Sequence, residues 1–374
     1  MIIGIDASNI KSGGGLTHLI NVLSFGDFKS LEINKIIIWS GLPSNKIVST
    51  NTVFYSFQKL LSNGGVINTL FWRLFILPKL SQNVDIVFSP GGITFPLYKR
   101  CISMSQNMLV FESKERNRFP FGKTYLRYHL LEFIQYLSLF TSLGNIYISN
   151  YAHDYIKNKH PTLKKIPSAI IYHGVSSKFT PTYKNQLNIN NYNHTTRYKI
   201  LYVSTINYYK HQWVLIDALK KLINEGFPIE LNLVGGAHPH AFVKIEEKLK
   251  EERDWVTYHG EVAHDKINQF YSDADLFVFL STCENMPNIL IEAMASGLPI
   301  CSSSFGPMPE ILGDAGVYFN PTDINSVYTT IKNTILDPEN RAHISNLALK
   351  RALQFTWQES SFETFKFITS FMKH

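Results

Sequence analysis

Two glutamates, Glu284 and Glu292, stand with seven residues between them, shortly after the apolar run LFVFL. That run predicts a buried strand over 276–280. Glu284 then falls in the loop behind the strand, and Glu292 lies one to two turns into the helix that the loop opens. Both carboxylates can face a ligand at the carboxyl end of the sheet, where open α/β sheets usually bind. Between them, Asn288, Ile289 and Leu290 offer backbone N–H groups at a helix start, where a diphosphate gains from hydrogen bonds and from the helix dipole. Pro287 suits the first position of such a helix, because its φ is already helical and its missing N–H is no loss there. A loop carboxylate, an anion-binding helix start and a helix carboxylate together describe places for a sugar, a diphosphate and a ribose. The plainer alternative is two glutamates on a solvated helix face.

Other candidates are weaker. Gly13-Gly14-Gly15 follows the first strand and precedes a helix containing His18, which lets backbone come close to an anion or substrate. It lacks GxGxxG spacing and a following ribose carboxylate, so no dinucleotide site is read, and a surface turn is the alternative. Gln106 and Asn107 follow another strand and can hydrogen-bond a ligand, but neither transfers protons at ordinary pH. His18, His129 and His173 are candidates for roles in a cleft, and each is more often structural than catalytic. Asp273-Ala274-Asp275 runs into the LFVFL strand and is read as a helix end and strand start, not as a metal-binding DxD. Cys101, Cys283 and Cys301 are too far apart for a disulfide framework or zinc site.

These residues need a frame. With 374 residues, 45% hydrophobic and 17% charged, the chain should fold as two globular domains with a cleft between them. Apolar β-branched runs alternate with helical periodicity, the pattern of βαβ units and parallel sheets. Strands are expected at Ile2–Asp6, Lys35–Ser40, 84–88, 102–105 and 146–148, then at 199–203, 230–234, Val256–Tyr258, 276–280, 299–302 and 316–319. A polar, asparagine-rich stretch at 183–197 reads as a linker or surface excursion. The expected domains are therefore 1–182 and 183–356, with an amphipathic helix at 357–374 packing back on the first domain or capping the second. No basic leader with a cleavage site opens the sequence, and residues 130–149 are too polar to span a membrane. A cytoplasmic location is expected. Residues 1–180 hold 19 Lys/Arg against 8 Asp/Glu and the remainder 17 against 21, so a basic first half faces a mildly acidic second. A basic half suggests an anionic partner: nucleic acid, a phosphorylated substrate or an acidic membrane. Within it, Lys114, Arg116, Arg118, Lys123 and Arg127 interleave with Phe119, Phe121 and Tyr125, a patch suited to anionic lipid, to nucleic acid or simply to solvent.

The Glu284 to Glu292 segment resembles the retaining glycosyltransferases of GT-B fold that carry a Glu-x7-Glu motif, a group that includes family 4 type bacterial polysaccharide and O-antigen glycosyltransferases. The resemblance is strong over about 199–323 and weaker over the first domain. It implies an α/β GT-B fold of two Rossmann-like domains, with parallel sheets facing a central cleft. It implies that Glu284 contacts sugar hydroxyls, that backbone at Asn285, Met286 and Pro287 contacts the sugar, that Ile289 and Leu290 meet the phosphates, and that Glu292 holds the ribose. The stretch from Tyr202 to Lys210 resembles the family's strand and loop bearing an Arg and a Lys for the diphosphate. Ser204 lies in that loop and Lys210 fits the Lys, whereas Thr205 occupies the Arg position, losing a fixed charge. His259-Gly260-Glu261-Val262 resembles the segment that packs on the base, through Gly260 and Val262. The loop with Gly14 and Gly15 lies near donor phosphate and acceptor in that family, and His18, Gln106, Asn107 and His173 are candidates for the acceptor side. A catalytic His common in the family is absent beside Gln106. The implied donor is a UDP- or GDP-sugar, the acceptor a glycan on a lipid carrier, and no cofactor or metal is required. The basic patch at 114–127 is then expected to meet the inner face of an anionic membrane, and no nucleic-acid partner is expected. Rival readings are a nucleotide-sugar epimerase and a non-catalytic basic module that keeps the fold.

Overall fold

The computed structural model describes residues 1–10, 13–40, 54–59, 71–94, 100–181, 184–263 and 266–372. The chain forms two compact units. The first comprises Met1–Arg116, Pro120–Gly174 and Thr356–His374, and the second Asn117–Phe119 and Val175–Phe355. The boundary read from sequence, between 182 and 183, lies outside the described residues.

In the first unit, seven parallel strands form one sheet in the order β3-β2-β1-β4-β5-β6-β7. They are β1 Ile2–Asp6, β2 Lys35–Ser40, β3 Phe54–Lys59, β4 Ile86–Ser89, β5 Cys101–Ser105, β6 Gly144–Tyr147 and β7 Ser168–Ile170. Residues of β1, β2, β4, β5 and β6 are buried almost throughout, as strands covered by helices on both faces must be. β3 and β7 were not expected from sequence. The sequence-based positions of β4, β5 and β6 differ from the observed ones by at most two residues at either end.

The second unit holds a six-stranded parallel sheet, in the order β10-β9-β8-β11-β12-β13. Its strands are β8 Tyr198–Val203, β9 Ile229–Val234, β10 Val256–Tyr258, β11 Leu276–Phe279, β12 Ile300–Ser303 and β13 Val317–Phe319. In register, Leu201 of β8 lies between Asn232 of β9 and Phe277 of β11. Strand order reverses between β8 and β11, so the loops after these two strands leave in opposite directions and open a crevice at their carboxyl ends. The polar stretch at 184–197 is tied to this unit: the buried guanidinium of Arg341 donates to Gln186 Oε1 at 3.1 Å and to Thr334 O at 2.9 Å, and it also reaches Leu187 O.

The terminal helix Trp357–Ser370 belongs to the first unit. It packs on the helix Gly13–Ser24, where Ser361 Oγ donates to Val22 O at 2.6 Å. Phe365 meets Phe28 edge-on at 4.8 Å. A Cβ at Gly144 would come within 2.5 Å of the Phe371 ring, so the close approach of the chain's end to β6 needs glycine there.

Candidate functional site

The reversal between β8 and β11 gathers the residues that the spacing argument singled out. Behind β8, Asn207 caps the 3-10 turn Tyr208–Lys210, and behind β11 the chain runs through Ser281, Thr282 and Cys283 to Glu284. Thr282 N donates to Tyr209 O at 2.8 Å, which laces the two loops together. Lys210 Nζ donates to Glu284 Oε1, so a cation and a carboxylate 74 residues apart form one ion pair. The Lys210 side chain is buried and its ammonium lies 5.3 Å from the Tyr209 ring centre and 5.1 Å from that of Phe279. Tyr202 Oη donates to Lys210 O at 2.6 Å and fixes the backbone from below. The Tyr202 phenol is held well above its ordinary pKa by burial and then by the Glu284 charge, so it remains a donor.

Downstream, the helix Asn288–Ala295 begins at Pro287, which provides no side-chain cap. Within its first turn, Leu290 N donates to Pro287 O at 3.0 Å. Asn285, Met286, Pro287 and Leu290 are buried, and Asn288 and Ile289 half-buried. Glu292 is only 9% exposed, and Tyr271 Oη donates to its Oε2 at 3.1 Å. Burial pushes the Glu292 carboxyl up to about 7, partly offset by the Tyr271 hydrogen bond. A solvated helix face, the plainer alternative for these two glutamates, is excluded by the burial of Glu292. Tyr271, on the helix Ile267–Asp273, has no mark in the sequence that ties it to Glu292.

The strand end after β8 carries Ser204 and Thr205. Ser204 is nearly buried and its Oγ donates to Thr205 O at 3.1 Å, while Thr205 itself is exposed and uncharged. Gly235, at φ +135, lets the β9 loop pass against this segment: a Cβ there would sit 2.4 Å from Ser204 O. Its amide donates to Gly260 O at 2.8 Å, which brings the Gly260 and Val262 loop alongside. Gly260 has φ +67 and Val262 is half-buried. His211, after Lys210, adopts a left-handed φ of 54 and its Nε2 lies 3.3 Å from both Thr282 Oγ1 and Arg118 Nη1. Burial, then Arg118 and Lys244, lower its pKa to about 3, so it is a neutral imidazole at ordinary pH.

In the first unit, Gly13, Gly14 and Gly15 form the first turn of the helix Gly13–Ser24 and not a loop ahead of it. A Cβ on Gly15 would lie 3.8 Å from Gln106 Oε1. Gln106 Nε2 is 3.3 Å from His18 Nδ1, and the His18 ring lies 4.8 Å from His173, with Trp357 beside both. Gly15, His18, Gln106 and His173 thus form one cluster. His18 is fully buried, and burial followed by His173 keeps its pKa well below the ordinary value. Asn107 stands apart, its Oδ1 accepting from Leu109 N at 3.1 Å as the cap of a 3-10 turn. The His129 ring lies 4.4 Å from that of Tyr125, tilted to it, along the helix Lys123–Thr141 and does not join the cluster.

The basic patch at 114–127 is not one surface. Arg116 is buried and paired with Glu132, Glu115 is buried beside it, and Phe119 is buried against Tyr208 at 5.3 Å. The sequence shows the composition of the patch but not the partners that draw three of its residues inward. Among the described residues, no group of three or more His, Cys, Asp or Glu side chains is placed to hold a metal, and Asp275 instead accepts from Lys199 N at 2.9 Å.

Residues 197–337 match the family model described as Glycosyl transferases group 1. The match lies within the second unit. It includes Lys210, Glu284 and Glu292. An O-antigen chain mannosyltransferase B of Escherichia coli is 28% identical over 167 residues, 44% of this chain and 44% of that protein. The Staphylococcus aureus protein CapJ is 26% identical over 215 residues, 56% of this chain and 51% of that one. The chain spans about half or less of the length of the curated relatives that it matches first. The structure superposes on the sucrose-phosphate synthase of Thermosynechococcus elongatus with a TM-score of 0.75 at 16% identity, over 100% of this chain and 99% of the other. With the Anabaena protein Alr3699/HepE in complex with UDP and glucose the TM-score is 0.72 at 17% identity, over 99% of each chain. The fold is GT-B, with a parallel α/β sheet in each unit.

Proposed function

We propose that this chain is a retaining glycosyltransferase that moves a sugar from a nucleoside-diphosphate donor to a glycan acceptor on a lipid carrier, in cell-surface polysaccharide or O-antigen synthesis. The observation that carries the reading is the Lys210–Glu284 pair across the β8/β11 crevice, beside the start of the helix that bears Glu292. It is supported by the group 1 match over these residues and by relatives named as O-antigen mannosyltransferases. Lys210 and the backbone of the helix start at Asn288 and Ile289 would meet the charge that grows on the departing diphosphate, and preorganised stabilisation of such charge is often what lowers a barrier most. Glu284 would orient the sugar through its hydroxyls and Glu292 would accept from the ribose. The acceptor oxygen then attacks the anomeric carbon on the face the diphosphate leaves, and its proton passes to the departing phosphate oxygen. Fixed protein charge does what a metal does in other transferases.

Calorimetric titration with UDP, GDP, ADP and their common sugar conjugates is expected to reveal one preferred base. Binding of none of them would sink the transferase reading and promote a non-catalytic module; conversion of the sugar without any acceptor would point to an epimerase.

The reading extends to peripheral contact with an anionic membrane, and the burial pattern shifts its surface from 114–127 to the helix Lys123–Thr141. Leu126, Leu130, Phe133 and Phe140 are 45–58% exposed and Phe121, just ahead, 84%. Their spacing of four, three and seven puts the four helical residues on one stripe. Lys123 and Arg127 are exposed at its start. Such a stripe suits the acyl boundary and its basic end the acidic headgroups. In vesicle co-sedimentation, the protein is expected to bind acidic phosphatidylglycerol vesicles over neutral phosphatidylcholine ones, and the double change Leu130→Glu, Phe133→Glu to weaken this by roughly tenfold or more. Equal binding by the variant would remove this surface from the proposal.

A further inference from the structure

The proposed donor site depends on where the loops after β8 and β11 hold Lys210 and Glu284. We infer that His211 is a positioning residue for Lys210: its buried imidazole holds the loop that bears the cation against the loop that bears Glu284. The inference rests on the donor reading above.

The backbone separates two roles for this residue. Lys210 ends a 3-10 turn and the helix Gln212–Asn224 begins two residues later, with His211 between them as its N-cap. The chain passes from one element to the other at φ 54 and ψ 32, a left-handed conformation that glycine adopts most readily. Among the described residues, Glu32 is the other non-glycine residue with positive φ. The imidazole makes no capping bond to the helix. What the helix takes from His211 is its carbonyl, which accepts from Val214 N at 3.0 Å. Glycine would therefore serve the backbone, and the side chain answers to something else.

The ring is 2% exposed. Arg118 Nη1 lies 3.3 Å from its Nε2. A guanidinium can only donate, so Nε2 is an acceptor and the hydrogen of the neutral ring sits on Nδ1. Thr282 Oγ1 lies 3.3 Å from the same nitrogen and 3.3 Å from Tyr209 O, while Thr282 N donates to Tyr209 O at 2.8 Å. Thr282, two residues ahead of Glu284, is thus held by Tyr209 and by His211, the two residues that flank Lys210. Lys210 itself is fixed at its carbonyl by Tyr202 Oη, at 2.6 Å. Without the imidazole, one of these ties is lost and a space opens beside the loop. A shift of a few tenths of an ångström is enough to take a preorganised charge off its target. A neutral ring suits this task, because it adds no charge next to the ammonium.

The test uses the full chain. UDP, GDP and ADP are titrated by calorimetry into the wild type. The one that binds is then compared with its nucleoside in His211→Gly, His211→Asn, His211→Gln, Lys210→Ala and the double variant Lys210→Ala, His211→Gly, with thermal melts to check folding. Glycine and asparagine both accept the left-handed turn, and neither side chain reaches the Nε2 position, so asparagine gives the same reading where glycine unsettles the fold. Glutamine keeps an acceptor at about the imidazole's reach. His211→Gly and His211→Asn are expected to weaken the diphosphate about tenfold, the size of one misplaced charge-assisted contact, and to leave the nucleoside unchanged. His211→Gln should recover part of the loss. Once Lys210 is alanine, His211→Gly should weaken the diphosphate no further, because a residue that acts through Lys210 has nothing left to position. Unchanged diphosphate affinity in the glycine and asparagine variants would overturn the inference while leaving the donor reading intact. So would equal losses for diphosphate and nucleoside, or the same loss with and without Lys210. A wild type that binds none of the three nucleotides would overturn both.

Discussion

Replacing Lys210 by alanine is expected to lower kcat/KM for sugar transfer by about 10²- to 10³-fold, the usual cost of removing one preorganised group that stabilises developing charge. The environment explains why the effect should be large. The ammonium is buried, lies against the Tyr209 and Phe279 rings and pairs with Glu284, so it is held in place before any ligand arrives and is weakly screened by water. Without it, Glu284 would lose its partner and would repel an incoming diphosphate, so affinity should fall along with the rate. The two losses reinforce each other. Steady-state assays of nucleoside-diphosphate release, with the sugar donor varied, separate them. A loss below about threefold would mean that Lys210 only neutralises Glu284 and that another group takes the leaving-group charge.

How much of this was legible in the sequence depended on whether the deciding contact was local. Glu284, Pro287 and Glu292 could be placed because a strand, a loop and a helix start follow one another within a few residues, and the β8 and β11 runs are apolar enough to mark buried strands. β3 was missed because FYSFQK keeps no period-2 alternation of apolar and polar residues, and its place in the sheet comes from pairing with β2, as in Lys35↔Phe54. β7, Ser-Ala-Ile, has a single β-branched residue, whereas the equally short β10 (VTY) and β13 (VYF) consist of β-branched and aromatic ones. The ion pair of Lys210 with Glu284 and the tyrosine beside Glu292 join residues 74 and 21 positions apart, and nothing in the composition of either segment announces its partner. The patch at 114–127 failed for the same reason in reverse. Arg116 reads as surface charge until Glu132, two turns into another helix, is found to draw it inward.

Glu292 should make both stability and nucleotide binding depend on pH, in opposite senses. Its folded-state pKa of about 7 lies above the ordinary 4.5 because burial penalises the carboxylate, so the folded protein holds a proton that the unfolded chain releases at lower pH. Stability from this residue is therefore fully present below about pH 4.5 and is lost as pH rises to about 7, after which it stays flat. The shift from 4.5 to about 7 corresponds to about 3 kcal/mol, at about 1.4 kcal/mol per pKa unit. Glu292→Gln removes the titration and keeps a neutral partner for the Tyr271 hydroxyl, so it should raise stability at pH 8 by up to about that amount and flatten the trend between pH 5 and 8. Binding runs the other way. A ribose hydroxyl donates best to an ionised carboxylate, so nucleoside-diphosphate affinity should rise between pH 6 and 8 in the wild type. In Glu292→Gln that affinity should be lower at pH 8 and independent of pH. Denaturant melts and calorimetry on the same two proteins at pH 5, 6, 7 and 8 check both halves. If the substitution stabilises the protein yet leaves nucleotide affinity unchanged at pH 8, the buried carboxylate is a cost without a ribose to justify it, and the role assigned to Glu292 fails.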